Sequence, residues 1–111
     1  MKTAPGSPAL ACNLSVFTAE QRRRHEADCS KLFHQASDIR ELPRGIALQL
    51  TNEPGALSLA TGFVTRESQC CPFLDFDLHF EPPYTHIQLS ITGPEGSREF
   101  LKEEFADLLR E

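Results

Sequence analysis

The stretch Leu74-Asp-Phe-Asp-Leu-His-Phe80 decides the fold, because apolar and polar side chains alternate along its whole length. Strict alternation is typical of a strand with one buried side and one polar side. The segment Glu81-Pro-Pro-Tyr84 then predicts a turn, and a second alternating run follows with Ile87, Leu89 and Ile91. The two runs together predict an antiparallel hairpin with one apolar face.

An earlier part of the chain repeats this pattern. Residues 39–42 and 46–51 flank Pro43-Arg-Gly45, and Ile46, Leu48 and Leu50 alternate with Ala47 and Gln49. Pro and Gly favour a turn here, with Gly45 able to take the left-handed conformation. A first hairpin is therefore predicted before the second.

Three helices are predicted around the hairpins. Thr18 and Gln21 fit a capping box, which starts a helix that should run to about Ser37. Asn52 should cap a second helix that Pro72 ends, and a terminal helix should begin after residues 93–96. The first helix carries one apolar stripe of His25, Cys29, Leu32, Phe33 and Ala36.

The order of elements predicts an α+β domain. Two strand-strand-helix units follow the N-terminal helix, and they should form one four-stranded antiparallel sheet with the helices on one face. Residues 12–111 are predicted to be this single domain, and residues 1–11, which are rich in Pro, Gly and Ala, a disordered tail. The polar face of the sheet, or a helix, is a candidate surface for a homodimer.

The composition narrows the class of protein. A formal charge of −5 over 111 residues argues against nucleic acid as a partner. The N-terminus lacks the apolar segment that export requires, and no later stretch is long and apolar enough to span a membrane, so a cytoplasmic protein without a membrane partner is predicted. In a reducing compartment the four cysteines should be thiols, ligands or transient redox groups and not a structural disulfide framework.

The adjacent cysteines Cys70 and Cys71 are the strongest chemical signal. Consecutive helical residues diverge by roughly 100°, but Pro72 disfavours helical geometry at Cys71, so the two sulfurs can converge on one soft ion or point apart. The end of a helix disfavours a bare thiolate unless Arg66 compensates, whereas a bound cation displaces the thiol proton. Metal binding is therefore favoured over redox chemistry.

Other residues have weaker claims to a role. Cys12 can supply a third thiolate if its segment folds back, but an isolated cysteine is often simply buried. Glu67 is a possible ligand or general acid and base, with a salt bridge as the simpler interpretation. Cys29 is interpreted as core, and His25 and His34 as structural or exposed. Pairing across the second hairpin should set His79 opposite His86 on the polar face.

The central part of the chain resembles a known group of proteins. The motif is Glu67-x-x-Cys70-Cys71-Pro72-Phe73-x-x-Phe76, followed by Thr92-Gly-Pro-Glu-Gly96 and preceded by Cys12-Asn-Leu14. It is similar to small, largely uncharacterised bacterial proteins with an E-x-x-C-C-P-F-x-x-F signature. Such segments occur beside or joined to regulators of the mercury-resistance type, so the resemblance implies a thiol-based role with metals. No DNA-binding helix-turn-helix precedes the segment, so a regulator's function is not implied.

Three hypotheses follow from the sequence. The first is binding or sequestration of a soft ion of the Zn, Hg or As type by Cys70 and Cys71, with Cys12 as the third ligand. The second is a thiol redox enzyme in which Cys70 and Cys71 form a reversible disulfide with each other or with Cys12. Glu67 would accept and donate protons in this reaction. The third is a noncatalytic dimeric interaction module with the thiols in the core. No organic cofactor is indicated, and no catalytic residue is assigned.

Overall fold

The computed structural model describes residues 12–109, and the predicted tail over residues 1–11 lies outside them. A 3-10 turn at Leu14–Val16 precedes the first helix. The regular elements that follow are α1 (Ala19–Gln35), β1 (Ala36–Leu42), β2 (Gly45–Thr51), α2 (Ala56–Cys70), β3 (Asp75–His79), β4 (His86–Thr92), α3 (Ser97–Glu104) and α4 (Ala106–Leu109).

The strands form one four-stranded antiparallel sheet in the order β1-β2-β4-β3. Ile91 of β4 lies opposite Ile46 of β2 on one side and opposite Phe76 of β3 on the other. The alternating apolar residues of the strands therefore share one face of the sheet, where they join helix residues in a single core. The predicted α+β class and the antiparallel sheet are confirmed.

The start of α1 follows the sequence closely. Thr18 Oγ1 accepts a hydrogen bond from the Gln21 amide over 3.1 Å, and Gln21 Oε1 accepts one from the Thr18 amide over 2.9 Å. The predicted capping box is therefore confirmed. The helix ends at Gln35, before the predicted end near Ser37, and β1 begins directly at Ala36.

Two predicted roles of turn residues are wrong. Gly55, with φ 87°, is the N-cap of α2 and supplies no side-chain bond, while Asn52 Nδ2 donates instead to the Tyr84 carbonyl over 2.8 Å. Gly45 is not among the positive-φ glycines. A glycine is required at position 45 because the backbone of β4 lies too close for a side chain: a Cβ there would lie 1.8 Å from the Ile91 carbonyl oxygen.

The predicted register of the second hairpin is also wrong. His79 lies opposite Gln88, and His86 lies opposite Thr51 of β2. The connection between β3 and β4 is longer than the predicted turn over residues 81–84, because residues 80–85 all lie outside the strands. The two histidines are therefore not a cross-strand pair.

Candidate functional site

The end of α2 sets the geometry of the two adjacent cysteines. The helix ends at Cys70, and Cys71 has φ −125° and ψ 72°, which is outside the helical region. Pro72 explains this change, since proline disfavours helical geometry at the residue before it. The two sulfurs lie 3.7 Å apart, so they converge, as the metal and redox hypotheses both require.

The N-terminal segment docks onto this helix end. The Asn13 amide donates to the Cys70 carbonyl over 2.7 Å, which satisfies a carbonyl that has no partner inside the helix. Cys12 is thereby placed beside Cys71, and the two form a disulfide. All three predicted ligands meet at one place. Two of them are bonded to each other, an arrangement that the redox hypothesis anticipates.

Glu67 lies beneath the sulfurs, one turn before Cys71 in α2. Only 1% of its surface is exposed. Its Oε2 atom lies 3.4 Å from Cys71 Sγ and 4.0 Å from Cys12 Sγ, and its Oε1 atom lies 3.8 Å from Cys70 Sγ. Ligand atoms of these four residues all lie within 4.8 Å of one another, so the predicted ligands and Glu67 are within reach of one metal ion.

A second carboxyl group approaches from α3. Glu104 is exposed as a residue, but its Oε2 atom turns inward to 3.0 Å from Cys12 Sγ and 4.0 Å from Cys71 Sγ. Burial of this carboxyl group, and then the nearby charge of Glu67, raise the pKa of Glu104. The raised pKa favours the protonated form of Glu104 in the metal-free site, and a cation bound there would favour its ionised form beside Glu67.

A chain of polar side chains holds Glu67 in place. His25 Nε2 lies 2.7 Å from Glu67 Oε1, and Arg66 Nε donates to His25 Nδ1 over 3.3 Å. Because Nδ1 accepts, the ring proton is on Nε2, and His25 donates to Glu67. Arg66 also pairs with Asp28. Arg66 therefore contacts His25 and Asp28, and it does not compensate the charge of a Cys70 thiolate as one interpretation of the sequence required.

The free thiols are poorly suited to act as bare nucleophiles. Burial, and then the charge of Glu67, raise the pKa of Cys70 to about 12. Burial likewise raises the pKa of Cys29, which lies in the core as predicted. Both thiols are protonated near neutral pH, so a metal that displaces the proton is the more effective route to a thiolate.

No family model, curated protein or solved structure matches the chain. The arrangement of donor atoms is therefore the basis for assigning a function. Across residues 12–109, no helix combines the length and the apolar character needed to cross a bilayer.

Sequence reasoning missed two residues of this site. His25 was interpreted as structural or exposed, although Cys29 follows it at the i,i+4 spacing that places both side chains on one helical face. That spacing is a signal that the sequence offered. Glu104 offered none, because it is one of several acidic residues near the end of the chain and only the fold turns it toward Cys12.

Proposed function

We propose that the protein, once the Cys12–Cys71 disulfide is reduced, binds a soft metal ion through the thiolates of Cys12, Cys70 and Cys71. Glu67 supplies a fourth donor. The observation that carries the proposal is the convergence of these four ligand atoms within 4.8 Å. Sulfur donors select soft or borderline ions, so Zn(II), Hg(II) and As(III) are the candidate ions.

The spacing of the sulfurs supports this assignment. Two sulfurs bound to one Zn(II) at about 2.3 Å, at a tetrahedral angle, lie about 3.8 Å apart. Cys70 Sγ and Cys71 Sγ are separated by 3.7 Å. The backbone turn at Cys71 therefore holds this pair at a separation that suits a shared ion without further movement.

The charges around the sulfurs support it as well. Glu67 is buried beside them and Glu104 closes the other side. Ionising several thiols among these carboxyl groups is unfavourable without a cation, and binding a cation removes that cost. The reduced site therefore has a physical reason to take up a metal ion.

A thiol redox enzyme is the second candidate, and the disulfide itself favours it. In this reaction Cys70 attacks Cys71 Sγ, a Cys70–Cys71 bond forms, and the Cys12–Cys71 bond breaks. Glu67 accepts the proton of Cys70, and Cys12 leaves as the thiolate. The high pKa of Cys70 slows this step, because the thiol and not the thiolate predominates. Metal binding therefore ranks first.

Competition titrations with Zn(II) and Hg(II) test the first candidate. Reduced wild type should bind much more tightly than Cys12→Ser, Cys70→Ser or Cys71→Ser, because a hydroxyl oxygen replaces a thiolate. Ser68→Ala, an exposed position on the same helix, is the matched control and should bind like wild type. Leaving the disulfide intact should weaken binding to a similar extent.

The opposite outcomes decide between the candidates. Equal affinity of reduced wild type and the Cys70/Cys71 double serine variant would exclude the metal site. A Cys70–Cys71 disulfide that accumulates after mild oxidation, identified by peptide mapping, would place the redox enzyme first.

A further inference from the structure

A second group of ligand atoms lies behind the thiol site. His25 and Cys29 lie one turn apart on the buried face of α1, and Glu67 reaches them from α2. One ligand atom of each residue lies within 4.8 Å of the others, and all three residues are buried. Nitrogen, sulfur and oxygen donors from two helices thus meet at one point.

The distances come close to those of a metal site. Cys29 Sγ lies 3.7 Å from His25 Nε2. A thiolate at about 2.3 Å and an imidazole at about 2.0 Å from one tetrahedral Zn(II) lie about 3.5 Å apart. The 2.7 Å contact between His25 and Glu67 is a hydrogen bond, which an inserted ion must widen to about 3.3 Å.

A half-open cavity of about 400 Å³ gives access to these atoms. Its wall includes all three ligand residues, together with the apolar side chains Leu14, Phe105 and Leu108. An ion held by three protein ligands beside such a cavity keeps one coordination position for water or a small ligand. Three protein ligands and one open position are typical of catalytic zinc sites, whereas structural zinc sites are closed by four.

We propose that His25, Cys29 and Glu67 bind a borderline divalent cation, such as Zn(II) or Co(II), with its open position facing the cavity. This site does not depend on the thiolate site, because Cys29 takes no part in the disulfide. The two oxygens of Glu67 face different ways, Oε1 toward His25 and Oε2 toward Cys71. If the proposed thiolate site is also filled in the reduced protein, Glu67 would offer Oε1 to one ion and Oε2 to the other.

Arg66 opposes the binding of this ion. It donates to His25 Nδ1, which keeps the ring proton on Nε2, where the metal must bind. A metal-bound histidine instead carries its proton on the other nitrogen and donates it to an acceptor. Arg66 must therefore release Nδ1. An Arg66→Gln variant, whose amide oxygen can accept this proton, should bind the ion more tightly than wild type.

Cobalt titration of the protein with its disulfide intact tests the site in isolation. Only Cys29 and Cys70 are free thiols in this form, so a thiolate-to-cobalt absorption band must come from one of them. We expect one Co(II) per chain, with the band abolished in Cys29→Ser and retained in Cys70→Ser, the matched control. His25→Gln should weaken binding by about tenfold or more.

A band that survives in Cys29→Ser, or no band in wild type, would overturn the proposal. Thermal unfolding of Cys29→Ser checks that the variant is folded. A measurement on wild type needs no substitution: Co(II) should strongly shift the carbon-bound ring protons of His25 in the NMR spectrum, and an unshifted His25 ring also rejects the site. Because the disulfide is intact throughout, these outcomes leave the proposed thiolate site untouched.

Discussion

Two histidine–glutamate pairs of nearly equal length lie in very different surroundings. His25 and Glu67 are 2.7 Å apart with 5% and 2% of their side chains exposed. His79 and Glu81 are 2.8 Å apart with 62% and 68% exposed. Water can replace each partner of the second pair at little cost, whereas a buried partner left alone has no substitute. The burial of a pair, and not the distance between its atoms, therefore decides how much the pair contributes to stability.

The neighbours of the two pairs differ in the same way. The His25 ring lies 5.4 Å from the Phe17 ring and stacks 5.7 Å from Phe63. Glu67 lies among the sulfurs. The surface pocket beside the exposed pair is lined by prolines and polar residues, with no cysteine. Only the buried pair is in a position to direct thiol chemistry.

The largest expected difference concerns stability. His25→Ala removes a packed ring and leaves the Glu67 carboxylate without its donor, so it should lower the free energy of unfolding by about 3 kcal/mol. The matched change His79→Ala should stay within about 0.5 kcal/mol. Urea unfolding measures both. Equal losses in the two variants would mean that the buried pair is not structurally important.

The next difference concerns the metal. Glu67→Gln keeps an oxygen that can accept from His25, but it removes the charge beside the sulfurs. In reduced protein it should weaken the tightest soft-metal site by roughly 10–100-fold or more, since loss of an outer partner alone costs that much. Glu81→Gln should leave the affinity unchanged. Competition titration compares the two, and a similar effect of both substitutions would point to general surface charge.

Features that depend on neighbours in sequence were predictable. The alternation of residues 74–80, the capping box at Thr18 and the end of α2 before Pro72 each follow from a few adjacent side chains. The sheet followed because two hairpins with single apolar faces have few ways to bury them. The convergence of Cys70 and Cys71 was one of two open alternatives, and the structure selects it.

Contacts between distant residues were only partly predictable: a bond between Cys12 and the Cys70–Cys71 pair was one open alternative, whereas the contact between His25 and Glu67 was not expected. The hydrogen bond from His25 to Glu67 joins residues 42 positions apart, and the Cys12–Cys71 disulfide joins residues 59 apart. These contacts depend on how α1 and the N-terminal segment dock on α2, which no local pattern encodes. The predicted register of the second hairpin is wrong where the chain also makes a distant contact: residues 80–85 lie outside the strands, and Asn52 donates to the Tyr84 carbonyl.

The smallest expected effect concerns Glu104, whose surroundings are intermediate between those of the buried His25–Glu67 pair and those of the exposed His79–Glu81 pair. Glu104 is exposed as a residue, yet its carboxyl group shares the buried site with Glu67 and the sulfurs of Cys12 and Cys71, which raises its pKa above the ordinary value of 4.5. A raised carboxyl pKa means that the folded protein holds this proton more tightly than the unfolded chain. Its contribution to stability is therefore complete below the ordinary pKa and is lost as pH rises through the folded pKa.

The free energy of unfolding of the disulfide form should decrease between about pH 5 and about pH 8. The decrease should be on the order of 1 kcal/mol or less, because solvent screens the Glu104 carboxyl group. Glu104→Gln should remove this part of the pH dependence. Glu99→Gln, on the same helix, is the control: a hydrogen bond from Arg98 lowers the pKa of Glu99, so its contribution changes only at more acidic pH. An identical pH profile in wild type and Glu104→Gln would show that the Glu104 carboxyl group is solvated like that of Glu81, and that the buried site ends at Glu67.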